Sequence, residues 1–127
     1  MGHDHSHKDL LAKLTEHFQP VLDNAPDGVY LWLDPEHLVC NENLAKLFGI
    51  TPAEFARTTD FLGRFVDPED QERFAANYGK HIGQVQGPVR FRFKARRKDG
   101  TAFDAETDMI PVGFGGHVAA YHFVRKV

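Results

Sequence analysis

The sequence predicts an α+β domain in which helices cover one antiparallel sheet. Three observations lead there. Leu10, Leu11, Leu14, Phe18, Val21 and Leu22 recur at three- and four-residue spacing, which gives one helix with a single apolar stripe. Residues 89–109 alternate apolar and charged side chains with period two around an Asp-Gly turn, which gives a hairpin with one wet face. Between them, helix-opening signals recur at Asn41, Thr51 and Asp67, so short helices separate an early strand pair from a late one. At 127 residues the chain is one domain, long enough to hide roughly two-thirds of its unfolded surface.

The elements follow in order. Residues 1–8 carry His3, His5 and His7, three of the eight histidines, and read as a tail. The amphipathic helix spans 9–24, and Pro20 is expected to kink or end it. Asn24-Ala25-Pro26-Asp27-Gly28 breaks regular structure. Val29-Tyr30-Leu31-Trp32-Leu33 and His37-Leu38-Val39-Cys40 flank the turn Asp34-Pro35-Glu36 and read as a hairpin. Asn41 caps a helix that carries Leu44, Leu47 and Phe48 and stops at Gly49. Thr51-Pro52-Ala53-Glu54 has capping-box spacing with proline at the first helical position. Asp67-Pro68-Glu69-Asp70 opens a longer helix that runs to about Ile82 with Phe74 and Tyr78 on one face.

The hairpin register follows from its charges. A two-residue loop at Asp99-Gly100 sets Lys94 against Ala105, charge against core. A three-residue loop, Lys98-Asp99-Gly100, pairs Lys94 with Asp104, Arg92 with Glu106 and Arg90 with Asp108, and puts glycine at the left-handed position. The longer loop is therefore predicted. Each charge pair adds tenths of a kcal/mol to about 1 kcal/mol. A last strand covers about 117–125. Its two alternate sets, Val118, Ala120, His122, Val124 and His117, Ala119, Tyr121, Phe123, are both fairly apolar, as are both faces of 29–33. These two strands are expected at the centre of the sheet, with their outer faces covered by the N-terminal helix, by a partner subunit, or by both.

Composition narrows the function. A net charge of −3 argues against nucleic-acid binding, and the acidic strand cancels the field of Arg90, Arg92, Lys94, Arg96, Arg97 and Lys98. No apolar run approaches the roughly 20 residues of a membrane span. The N-terminus lacks the charge-then-apolar pattern of a secretory signal. Cys40 is the single cysteine, so no internal disulfide forms, and a cytoplasmic address is expected.

The element order resembles a PAS domain, and three motifs carry the likeness. Residues 41–55, Asn-Glu-Asn-Leu-Ala-Lys-Leu-Phe-Gly-Ile-Thr-Pro-Ala-Glu-Phe, are similar to the family's asparagine-led helix ending Leu-Phe-Gly before a Ser/Thr-Pro helix start. Val66-Asp67-Pro68-Glu69-Asp70-Gln71-Glu72-Arg73 resembles the segment usually written His-Pro-Glu-Asp-Arg, with Asp67 where histidine is common. Arg96-Arg97-Lys98-Asp99-Gly100-Thr101 resembles the hairpin joining the third and fourth strands. The likeness covers about residues 20–127. It implies a five-stranded antiparallel sheet of order 2-1-5-4-3 with helices on its concave face. It also implies a role in sensing a small ligand, light, oxygen or redox state, or in dimerisation. Fold alone does not choose among these.

The residues narrow the choice. The family's light-sensing branch carries Gly-Arg-Asn-Cys-Arg-Phe on a mid-domain helix. The nearest stretch here, Gly63-Arg64-Phe65-Val66, has no cysteine, and Cys40 reads as a small buried residue at a strand end. The photoactive yellow protein branch needs a mid-domain cysteine that Phe65-Val66-Asp67-Pro68 lacks. Haem-binding members place an axial histidine on or just after the long helix, where His81 falls. Its other reading is an exposed histidine at a helix end. Imidazoles at His3, His5 and His7 have the chemistry for zinc, nickel or copper, and otherwise form a flexible tail or affinity handle. Phe48, Phe55, Leu62, Phe65, Phe74, Tyr78, Phe91 and Phe93 are expected to line an aromatic pocket, against a closed core as the other outcome. If Val118, Ala120, His122 and Val124 face that pocket, His122 is its polar probe.

The expectation is a non-catalytic PAS signal-sensing and dimerisation module of bacterial-type signal transduction, with a small apolar ligand in the aromatic pocket. The layout expected is a tail at 1–8, a helix at 9–24 and the PAS domain at 25–127. The partners expected are a second copy, bound through the N-terminal helix and outer sheet face, a small molecule and a signalling partner. No nucleic acid or membrane is expected, and no cofactor is specified. One alternative is a haem- or metal-dependent sensor using His81 or the N-terminal histidines. Another is a small α+β-barrel acid–base enzyme. The outward alternation of Asp104, Glu106 and Asp108 argues against the enzyme, which needs its carboxylate inside.

Overall fold

A computed structural model describes residues 7–34, 37–83, 86–114 and 116–127. Helix α1 (His7–Asn24) leads into strands β1 (Gly28–Asp34) and β2 (His37–Cys40). Four short helices follow: α2 (Glu42–Phe48), α3 (Pro52–Ala56), α4 (Phe61–Phe65) and α5 (Pro68–Tyr78). A single π-helical turn (Gly79–Gly83) extends α5, and strands β3 (Val89–Arg96), β4 (Ala102–Phe114) and β5 (His117–Lys126) close the chain. The five strands form one antiparallel sheet of order β2-β1-β5-β4-β3, the order expected. No helix among the described residues is long and apolar enough to cross a membrane.

Helices α2 to α5 form where their caps stand. The Asn41 side chain accepts from the Leu44 N–H, and Gly49 closes α2 in the left-handed region at φ 71°. Thr51 and Glu54 form the reciprocal capping box of α3. The Asp67 carboxylate caps α5 ahead of Pro68. Helix α4, capped by Asp60 through the Gly63 N–H, carries no proline or capping box and has no counterpart among the helices named from the sequence. Helix α1 begins at His7, inside the segment expected as tail, and does not end at Pro20. The apolar stripe continues past the proline: Leu22 is buried and Val21 packs beside it on the sheet. This burial offsets the one backbone hydrogen bond that proline removes. Asn24 closes the helix by donating to the Pro20 carbonyl at 2.7 Å.

The β3–β4 hairpin has the predicted three-residue loop and register. Lys94 pairs with Asp104, Arg92 with Glu106 and Arg90 with Asp108. The Arg97 N–H donates to the Thr101 carbonyl at 2.8 Å, and Gly100 sits at φ 90°. Arg125 of β5 extends the charge lattice, reaching both Glu106 and Asp108 at 2.9 Å.

Two cores result. On the inner face, helices α2–α5 enclose Tyr30, Phe48, Phe55, Phe65, Met109 and their neighbours. On the outer face, α1 seats Leu10, Leu14 and Leu22 against Val29, Leu31, Leu33, Ala119 and Tyr121. The chain thus covers its own central strands with α1.

Asn41 ties these layers together. Its Oδ1 accepts from Val29 N–H at 3.0 Å and Leu44 N–H at 2.9 Å, and its Nδ2 donates to the Asp27 carbonyl at 3.2 Å. The residue is 7% exposed, so Asn41→Ala strands two buried donors at once. Urea unfolding should show a loss of about 2–4 kcal/mol for Asn41→Ala and under about 1 kcal/mol for Asn43→Ala, whose hydrogen bonds are exposed.

Candidate functional site

The antiparallel pairing of β1 with β5 sets Tyr30 directly beside His122. Both side chains point to the inner face, and their rings stack at 4.0 Å and 6°. Phe74 of α5 lies near-parallel to the imidazole on a wider spacing, 6.4 Å at 15°. Next to these rings is a cavity of about 100 Å³ lined by Tyr30, Trp32, Phe61, Leu62, Phe74, Ala75, Tyr78 and His122. Its floor is buried: Tyr30, Phe61, Phe74 and His122. Its rim is half-buried Trp32, Leu62 and Tyr78 with exposed Ala75, so the opening lies between α4 and α5.

His122 is the chemical anomaly of this surface. It is 1% exposed, and neither ring nitrogen has a hydrogen-bond partner. Burial pushes its pKa from the ordinary 6.5 down to about 3, so the ring is neutral at physiological pH. Burial also raises the Tyr30 hydroxyl well above the usual tyrosine value, with Tyr78 adding to the effect. No lining residue carries a charge.

The structure brings Leu62, Phe74, Tyr78 and His122 of the expected pocket residues together at the cavity. Phe48, Phe55 and Phe65 instead fill the closed part of the inner core, with Phe48 and Phe65 rings 4.9 Å apart. Phe91 and Phe93 buttress Phe74 from β3 at 5.3 and 5.1 Å without lining the cavity. Tyr30, Trp32, Phe61 and Ala75 complete the lining and were not singled out from the sequence. Tyr30 and Trp32 had a signal, because the side of β1 they share lies beside His122 once β1 and β5 pair. Phe61 had none without the α4 cap.

The cofactor candidates sit elsewhere. His81 lies half-buried in the π turn, its Nδ1 3.1 Å from the Gly87 carbonyl, and does not line the cavity. Cys40 is buried at the end of β2, and burial pushes its thiol up to about 12. At about 100 Å³ the cavity is well below the roughly 300 Å³ at which pockets for drug-sized ligands begin, so neither haem nor flavin fits it as formed. His3, His5 and the side chain of His7 lie outside the described residues. Among the described residues, no group of three or more His, Cys, Asp or Glu is placed to hold a metal ion. The carboxylates weighed for acid–base chemistry belong to the outer lattice. Arg125 holds Glu106 below its ordinary value, and Arg90 does the same for Asp108.

A family model described as the PAS fold matches residues 37–123. The chain belongs to the PAS family. No curated protein sequence matches it. Solved structures superimpose at low identity. The PAS domain of a Colwellia psychrerythraea protein is 15% identical at TM-score 0.72, over 90% of this chain and 97% of that one. The LOV protein of Rhodobacter sphaeroides is 17% identical at TM-score 0.72, over 91% of this chain and 68% of that one. A PAS domain of a two-component sensor histidine kinase is 17% identical at TM-score 0.69, over 91% and 99%.

In this PAS domain the buried imidazole sets a pH dependence. Unfolded, His122 titrates near 6.5; folded, near 3. Between those values the unfolded chain binds the extra proton, so stability is full above about pH 6.5 and falls as the solution is acidified. Urea unfolding should show about 1 kcal/mol less stability at pH 5.5 than at pH 7.5. His122→Phe should remove most of that difference and raise stability at pH 7.5, because an orphaned polar ring gives way to an apolar one.

Proposed function

We propose that this PAS domain is a non-catalytic signal-input module whose inner-face cavity takes a small, largely apolar ligand. The carrying observation is the unpartnered His122 at the floor of an otherwise apolar cavity that opens between two helices. Buried polar groups in folded proteins are satisfied in the great majority of cases, and an exception marks a place where a partner is expected. PAS domains generally act as non-catalytic sensor modules. The superimposed structures include a PAS domain from a two-component sensor histidine kinase and a LOV protein, which supports a place in signal transduction and an output through a signalling partner.

The module pairs with a second copy through α1 and the outer sheet face. Phe18 of α1 stays half-buried against Tyr121 at 4.8 Å, beside half-buried Ile110, Val112 and Phe123. These residues form an apolar margin where α1 leaves the sheet partly covered.

Two measurements test this reading. Native mass spectrometry of the full chain should show a dimer carrying a reproducible small non-covalent mass that is absent under denaturing conditions. Ala75→Leu, which narrows the mouth from an exposed helix position, should lower its occupancy, and equal occupancy would count against the cavity. Phe18→Glu should weaken the dimer at least tenfold in sedimentation. A wild-type chain that stays monomeric at high micromolar concentration would remove the dimer.

A further inference from the structure

The ligand reading above leaves open which chemistry the cavity selects, and the lining constrains it. Neutral imidazole carries one N–H donor and one bare acceptor nitrogen. Both are unsatisfied in His122. A hydroxyl serves either nitrogen, because it donates to the bare one and accepts from the protonated one, so its fit does not depend on the tautomer. An ammonium has only donors, and a carboxylate only acceptors. Both also lose their hydration in a cavity whose lining offers no opposite charge. Water alone is a poor occupant, because the lining is almost entirely apolar and an ordered water needs two to four polar partners.

Size and shape narrow the class further. A cavity of about 100 Å³ is smaller than the engineered one of roughly 150 Å³ that binds benzene, so one ring fills it with slight movement of the rim. The rings of Tyr30 and Phe74 lie within 6° and 15° of the His122 plane, so a flat molecule follows an orientation already built into the walls. The half-buried rim residues are Trp32, Leu62 and Tyr78, and Leu62 is the aliphatic one among them.

We infer that the cavity selects a small uncharged hydroxylated ring, of phenol size, whose hydroxyl hydrogen-bonds the buried His122. This deepens the ligand reading and rests on it. Its recognition is one directional contact in a dry apolar cradle, and it discriminates against anions and cations by desolvation.

The test titrates the full-length protein at pH 7.5 with phenol, toluene and benzoate, following backbone amides and the His122 ring nitrogens by NMR. Toluene matches phenol in shape and is the more apolar, so burial alone ranks it first. The expected result is saturable phenol binding that shifts the His122 ring nitrogens. Its affinity should be at least threefold above toluene and at least tenfold above benzoate. Ala75→Leu should weaken phenol and toluene alike, and His122→Phe should reverse the order of the two. Toluene binding as tightly as phenol, or benzoate binding tightest, would overturn the hydroxyl assignment while leaving the cavity a ligand site. If none of the three gives a saturable shift at the cavity residues in the wild-type protein, the ligand reading itself falls.

Discussion

The fold depends on one constraint: β1 and β5 are buried on both faces. Val29, Tyr30 and Leu31 of β1, and Ala119, Ala120, Tyr121 and His122 of β5, are each less than a tenth exposed although their side chains alternate between faces. A strand pair of this kind cannot face water on either side, so the chain must supply two covers. Helix α1 is one, and its position before β1 lets it fold back over the outer face. The short helices between β2 and β3 are the other. Long-range ties hold the second cover in place. The Val66–Ala95 bridge and the Asp67 N–H to Lys94 carbonyl bond dock the α4–α5 junction on the β3 edge, and Asp70 accepts the Lys94 N–H at 2.6 Å. These bonds also occupy an edge strand that would otherwise expose unpaired backbone.

The outer half of the hairpin does a different job from the apolar centre. Arg90, Arg92, Glu106, Asp108 and Arg125 make a lattice in which Arg90 and Arg92 are more than half exposed, so its direct contribution to stability is small. Its physical consequence is register. A one-residue slip of β3 against β4 would turn Phe91, Phe93 and Ala95 outward and carry arginines into the core. That register aims Phe91 and Phe93 at Phe74, and Phe74 in turn stands over His122. The surface charges therefore help fix the cavity wall without touching the cavity.

Much of this was legible in the sequence because it is local. Capping at Asn41, Thr51 and Asp67, the strand alternation, the loop at Lys98-Asp99-Gly100 and the apolar faces of β1 and β5 are all encoded within a few residues. The PAS motifs then supplied the strand order. The cavity was half legible, because its lining is a product of register between strands far apart in the chain. Tyr30 meets His122 across 92 positions, as the difference of their numbers gives. Phe48, Phe55 and Phe65 are as aromatic as Phe61 and Phe74, and nothing local separates residues that close a core from those that border a gap. Pro20 does not end α1 for the opposite reason: a local helix breaker is overridden by tertiary burial of Val21 and Leu22.

The imidazole at position 122 is a local departure from the rest of the inner core. Every neighbour in its ring stack is aromatic, and a phenylalanine there would satisfy packing without leaving two polar atoms stranded. An unsatisfied buried group costs about 1–3 kcal/mol, a large share of the 5–15 kcal/mol by which domains are stable. Two other arrangements would have lowered the cost: a carboxylate or hydroxyl within reach, or exposure at the rim beside Tyr78. Neither is present. The chain instead puts a neutral, two-sided hydrogen-bonding group on the buried floor of an apolar opening. Under the proposed ligand reading, a molecule that enters would regain the hydrogen bonds that folding gave up at His122, and it would bear on α4 and α5, which supply Leu62, Ala75 and Tyr78 to the opening.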